Sequence, residues 1–169
     1  GARRSLAVAA LLLFAALLLA DEVGLGKTIT AGLILNELRN RGQANRILVL
    51  SPAGLVAQWI QEMRDHFHME FTPLFTKLML TPESGRVWTQ FDLAIASYDS
   101  VKPITNRRGW TKEEIEAYND NRFNAMLDAG WDVVIIDEAH RMAGGSVGVA
   151  RNALAAGVSA VAPHLLLLT

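Results

Sequence analysis

The amino-acid sequence predicts an α/β fold built on a doubly wound parallel sheet, and three observations carry that prediction. Short runs dominated by apolar residues recur along the chain, at Ile47 to Leu50, Phe91 to Ala96, Trp131 to Asp137 and Leu165 to Leu168. Such runs suit strands covered on both faces, as in a parallel sheet. Between them lie stretches in which apolar residues return at helical spacing. Strands and helices therefore alternate, the pattern of a sheet with helices on both sides and ligands at the carboxyl ends of its strands.

Each element has its own local reason. Thr28 to Arg41 reads as a helix, with apolar Ile29, Leu33 and Leu38 against polar Asn36, Glu37 and Arg39, and Gly42 as its C-terminal stop. Ile47 to Leu50 ends at the turn formers Ser51 and Pro52, which mark the strand's exit. Gly54 to Phe67 sets Leu55, Ile60 and Met63 against Gln61, Glu62, Arg64 and Asp65, again at helical period. From Ser100 to Arg122 the chain turns polar and reads as an insertion-rich surface, where Thr111 and Glu114 have the spacing of a capping box opening a helix that Gly130 closes. A loop over Arg141 to Gly145 and a helix through Ala156 lead to the last strand.

Composition narrows the function classes. The formal charge of −1 excludes a global basic field, so any nucleic-acid contact must be local. The absence of cysteine removes disulfides, thiolate metal sites and cysteine nucleophiles, and is compatible with a reducing cytoplasm. His66 and His68 are two apart on a helix end and so point to different faces, which favours a surface role over metal binding. Arg3 and Arg4 before the apolar run Leu6 to Ala20 have the form of a secretory leader. The competing reading is a buried helix followed by a buried strand feeding the next loop, and a third takes this Ala/Leu-rich stretch as a replacement for natural sequence.

The residues that carry chemistry begin at Asp21, Glu22, Val23, Gly24, Leu25, Gly26, Lys27 and Thr28. Set between an apolar strand candidate and a helix, this is the context of a phosphate-binding loop, although the usual first glycine is Asp21. Gly24 and Gly26 let backbone N–H groups turn inward, and the helix N-terminus adds its positive end. Lys27 supplies charge to the outer phosphates of ATP, while the Thr28 hydroxyl serves as a Mg2+ ligand. The second motif is Asp137, Glu138, Ala139 and His140, delivered at the carboxyl end of the apolar run Val133 to Ile136. Asp137 would hold Mg2+, and Glu138 would orient or deprotonate the water attacking the terminal phosphoryl group.

Together these residues resemble the first motor lobe of the Swi/Snf-type translocases of helicase superfamily two, over nearly everything after Leu17. In that family Asp-Glu-x-Gly-x-Gly-Lys-Thr replaces the usual first glycine, so Asp21 fits. Pro52, Gln58 and Trp59 after the apolar run Ile47 to Leu50 match a further motif. Leu93 to Tyr98 resembles the segment with which the family touches the tracked DNA strand, and Leu165 to Thr169 the start of a Thr-Ala-Thr motif linking hydrolysis to movement. Val23 with Thr28 to Gly32 resembles the bacterial branch that includes the RNA-polymerase-recycling ATPase and helicase-like phage-defence proteins. Asn106, Arg107, Arg108, Gly109 and Trp110 are closer to the defence-type members, or else form an ordinary solvated loop.

The resemblance implies a P-loop NTPase lobe of RecA-like fold over residues 17–169 behind an apolar segment 1–16. It implies ATP and Mg2+ as cofactors, double-stranded DNA as track with RNA or RNA polymerase left open, and a bacterial cytoplasmic setting without a membrane. Lys27 and Glu138 would be catalytic, Thr28 and Asp137 metal-binding, His140 and Thr169 coupling residues, and Pro52, Gln58, Ser97 and Tyr98 nucleic-acid contacts. Two departures stand out. No glutamine precedes Gln43, where the family carries an adenine-recognition glutamine, and the sequence ends at Thr169, ahead of the second lobe with its arginine finger. Such a finger is worth about a thousandfold or more in rate, so these residues alone are expected to bind Mg-ATP weakly and turn it over poorly. A nucleotide- or partner-binding module that never turns over is the alternative.

Overall fold

The computed structural model describes residues 26–74, 86–143 and 145–169. The apolar segment 1–16, the strand expected to precede the loop, and Asp21, Glu22, Val23, Gly24 and Leu25 lie outside the described residues.

The described chain forms a five-stranded, all-parallel sheet. Its strands are β1 (Ile47–Ser51), β2 (Thr72–Pro73), β3 (Leu93–Ser97), β4 (Val133–Ile136) and β5 (His164–Leu167), in the spatial order β2-β3-β1-β4-β5. Its helices are α1 (Gly26–Asn40), α2 (Val56–Phe67), α3 (Val87–Gln90), α4 (Tyr98–Val101), α5 (Lys112–Asn119) and α6 (Gly145–Val161). The register is continuous across the centre, with Val49 paired to Ile95 on one side and to Ile135 on the other. All of β1 and β4 is buried, as their unbroken apolar runs require.

Period-two alternation divides these strands between two cores. Ile47, Val49, Ile95, Val133, Ile135 and Leu166 face α1 and α2, joining Ala31, Leu35, Trp59 and Met63. Leu48, Leu50, Ala94, Ala96, Val134 and Ile136 face the other way, onto Trp88, Tyr98, Met126, Leu154 and Val158. Helices thus cover both faces, and the doubly wound parallel sheet is observed. None of the helices among the described residues is long and apolar enough to cross a membrane.

Several boundaries moved for physical reasons. The second predicted helix opens with a 3-10 turn, Ala53–Leu55, before α2 proper, and closes at His68, which sits in the left-handed region (φ 54°) and donates its N–H to the carbonyls of Arg64 and Met63. The loop expected after the Asp-Glu-Ala-His segment is instead a 3-10 turn over Ala139–Met142, and α6 runs on to Val161. The short β2, α3 and α4 carry too few residues for a periodic signal.

The polar stretch is more ordered than its composition suggests. The capping box forms, Thr111 Oγ1 accepting from Glu114 N and Glu114 accepting from Thr111 N. The helix continues through a π-turn, Asp120–Asn124, and ends at Ala125–Leu127, with Gly130 beyond it at φ 77°. Guanidinium groups and rings stack in sequence: Arg107 over Trp110 (4.2 Å), Trp110 edge-on to Tyr118 (5.5 Å) and Arg122 over Tyr118 (3.8 Å). The Asn119 side chain pins the loop by pairing with both the N–H and the carbonyl of Ile104 at 2.9 Å.

Candidate nucleotide site at the carboxyl edge of the sheet

The two halves of the predicted site reach the same edge of the sheet by simple geometry. Helix α1 has 15 residues and so spans about 22 Å. Its C-terminal end, closed by Gly42 (φ 70°), connects through a short turn to the start of β1. Since α1 packs on the sheet through Ala31, Leu35 and Leu38, it runs back across it, and its N-terminus with Gly26, Lys27 and Thr28 arrives at the carboxyl edge. Strand β4 ends at that edge and delivers Asp137 there.

Asp137 is the most constrained polar residue of the site, 7 % exposed. Its backbone N–H donates to Leu50 O at 2.8 Å, which extends the pairing with β1 one residue past the strand. Its carboxylate accepts twice: Oδ2 from the indole Nε1–H of Trp59 at 2.8 Å, and Oδ1 from the backbone N–H of Glu138 at 2.8 Å. An ionised carboxylate offers about four lone-pair sites, so one donor per oxygen leaves each able to accept again. That suits Mg2+, a hard ion usually held through one or two carboxylates, water and substrate phosphates. The donor set of Thr28 hydroxyl and Asp137 carboxylate fits it.

Glu138 adopts a left-handed backbone conformation (φ 52°), which costs a residue with a Cβ on the order of 1–2 kcal/mol. Strain of this kind persists where neighbours over-determine it and gathers at functional sites. Here the neighbours are the Asp137 carboxylate, which accepts from Glu138 N, and the carbonyl of Leu168, which accepts from Ala139 N at 2.7 Å. The sharp turn lifts the Glu138 side chain to partial exposure, where its Oε2 lies 3.2 Å from His140 Nε2. Glu138 and His140 thus lie in contact, and Thr169 follows Leu168 at the same edge.

The residues expected to meet nucleic acid do not share one environment. Pro52 leads into the 3-10 turn and is half-buried. Gln58 is exposed and donates to Glu62 Oε1 at 2.7 Å. Ser97 Oγ pairs with Ser100 Oγ at 2.5 Å. Tyr98 is 1 % exposed, with its ring in the core under α6, because it opens α4 with its side chain turned inward. Burial pushes its phenol above the ordinary value, against the pull of nearby Arg141 and Arg151. Arg41 pairs with Glu37 on α1, and Arg46 turns into the protein. Trp88 and Trp131 are core residues.

Two features escaped the sequence. Trp59 was legible as a motif residue, but its partner lies 78 positions away. The one available signal was that a buried indole N–H needs an acceptor. The second is a bridge between the end of the Asp-Glu-Ala-His turn and the segment after β3. Arg151 on α6 donates to both oxygens of Asp99 (2.9 and 3.1 Å) and to the Arg141 carbonyl at 3.4 Å.

Comparison with known proteins places this geometry. Among curated proteins, the uncharacterized ATP-dependent helicase YqhH of Bacillus subtilis is 38 % identical over 125 residues, 74 % of this chain and 18 % of that protein. The RNA polymerase-associated protein RapA of Pseudomonas aeruginosa is 35 % identical over 153 residues, 90 % of this chain and 14 % of that protein. The chain therefore spans under a fifth of the curated relatives it matches. Among solved structures, the Sulfolobus solfataricus SWI2/SNF2 ATPase core in complex with dsDNA superposes with a TM-score of 0.60 over 89 % of this chain and 26 % of that one, at 17 % identity, a likeness of fold. The model of the SNF2-related domain matches residues 13–160, and with the parallel sheet and the Asp137–Glu138 turn at its carboxyl edge this chain belongs to the SNF2-related domain family.

Proposed function

We propose that the chain is the ATP-binding motor lobe of a Swi/Snf-type ATPase that couples hydrolysis to translocation on double-stranded DNA. The observation that carries this reading is the convergence at one sheet edge of the α1 N-terminus, with Gly26, Lys27 and Thr28, and the strained turn of Asp137 and Glu138. Lys27 and the N-terminal amides of α1 attract the phosphates, joined by the N–H groups of the segment Asp21 to Leu25. Thr28 and Asp137 hold Mg2+, which when bound neutralises charge on the outer phosphates. Glu138 directs the attacking water, and His140 at its carboxylate reports the state of the site outward, with Thr169 on the same edge.

The DNA part of the proposal draws on the relatives: the solved SWI2/SNF2 core is in complex with dsDNA, and RapA is named for its association with RNA polymerase. Pro52 just after β1, Gln58 in the first turn of α2 and Ser97 at the end of β3 are candidate contacts for a track at the carboxyl edge, in a bacterial cytoplasmic setting. Calorimetric titration with Mg-ATP tests the nucleotide site. Saturable binding weakened at least tenfold by Lys27→Ala and by Asp137→Ala, and retained in Glu138→Gln, is the expected result. Folded protein that does not bind, or binds equally well in all four forms, refutes the reading. Stimulation of turnover by duplex DNA, compared with single strands and RNA, decides the track.

A further inference from the structure

We infer that Trp59 is a positioning residue for the metal-binding carboxylate: its buried indole N–H holds Asp137 Oδ2 and so fixes which lone pairs the carboxylate offers to Mg2+. The inference rests on the ATP-binding reading above and deepens it.

Trp59 lies on the sheet-facing side of α2, 2 % exposed, among Ala31, Met63, Val49 and Ile135. Packing alone would be served there by any large apolar side chain. What an indole adds is one N–H, a donor that cannot accept. It is spent on Asp137 Oδ2 at 2.8 Å. The other oxygen is held from a different direction by Glu138 N at 2.8 Å. Two donors, one on each oxygen, stop the carboxylate from turning about its own bond to the chain. A carboxylate held in this way presents its remaining lone pairs in one direction, which a small octahedral ion demands and a freely turning group does not supply. The second donor comes with the Asp-Glu turn itself. The first is a separate investment by α2, whose preceding residue, Gln58, faces solvent.

The test separates donor from packing. Trp59→Phe keeps a ring without the N–H, and a second variant with benzothienylalanine at position 59 replaces the N–H by sulfur at nearly constant volume. Each is titrated calorimetrically with ATP in EDTA, and then with Mg2+ at saturating ATP. Loss of an outer hydrogen bond to a metal ligand costs roughly ten- to a hundredfold in metal affinity, so the Mg2+ dependence moves by that factor while metal-free ATP affinity stays within about twofold. Unchanged Mg2+ dependence, or equal weakening of both titrations, overturns the inference and leaves the ATP site standing. Wild-type protein that binds no Mg-ATP removes both. In the wild-type chain the Trp59 indole N–H resonance is expected to be slow to exchange with solvent, and to shift and exchange faster in Asp137→Ala. A resonance indifferent to Asp137 overturns the inference even if Trp59→Phe does not fold.

Discussion

Arg46 sits at the amino edge of the sheet, just before β1, and its guanidinium serves three carbonyls on two separate stretches of chain. It donates to the carbonyl of Ala129, to that of Trp88 at 2.6 Å and to that of Phe91 at 3.2 Å. The same group lies 4.5 Å from the centre of the Trp131 ring and pairs at 3.5 Å with Asp92, which is largely exposed. Arg46→Met keeps most of the aliphatic stem and removes the fork. Three carbonyls then lose their charged donor, at about 1–3 kcal/mol for each one kept from water, and the ring loses a cation worth about 0.5–1 kcal/mol. Because the Arg46 side chain is 20 % exposed, water can replace part of this, and the terms do not add. The expected loss is roughly 2–4 kcal/mol, on the order of 10 °C in Tm for a domain of this size. Urea unfolding followed by circular dichroism, at unchanged slope, measures it. Arg46→Lys should recover less than half, since one ammonium cannot span three carbonyls. A loss below about 1 kcal/mol, or full recovery by lysine, would refute the reasoning. Mg-ATP binding by the folded variant should be unaffected, because the site is at the opposite edge of the sheet.

Two further perturbations test other parts of the fold. At Gly32, where α1 crosses α2, an added Cβ would fall inside the ring of Phe67, so Gly32→Ala should destabilise by about 1–3 kcal/mol although alanine is the better helix former. The combination with Phe67→Ala should cost less than the two changes summed, and strict additivity in urea melts would show that the ring was never in the way. Asp99 concerns pH. Burial works to raise its carboxyl, but hydrogen bonds from Lys102 and Arg151 outweigh that and hold it below the ordinary 3.8. A depressed folded value means that the stabilisation is present above the unfolded pKa and lost as pH falls through the folded one, so the window lies below about 3.8. With the Asp99 side chain 48 % exposed, solvent screening limits the contribution to about 0.2–1 kcal/mol at neutral pH. Asp99→Asn should lower stability by that amount at pH 7 and flatten the acid limb below pH 3.8, and identical acid limbs in parallel melts would overturn the assignment.

The sequence by itself determined the layout of strands and helices in this protein and the candidate site residues at their ends. Four strands announced themselves as apolar runs, unbroken in β1 and β4 because both of their faces are covered, and the long helices as periodic stripes because only one of theirs is. Gly26, Lys27 and Thr28 at a helix start, and Asp137 and Glu138 at a strand end, were legible because their meaning depends on neighbours within a few residues. So was the capping box of Thr111 and Glu114. Tertiary structure alone decided what those residues touch. The left-handed turn at Glu138, the inward Tyr98 and the internal Arg46 follow from how segments dozens of residues apart meet, and no local period encodes that. The Trp59–Asp137 hydrogen bond is the clearest case. Each residue was visible as part of a motif, but an indole N–H 78 positions from a carboxylate becomes its partner only when β4 pairs with β1 and α2 folds back over both.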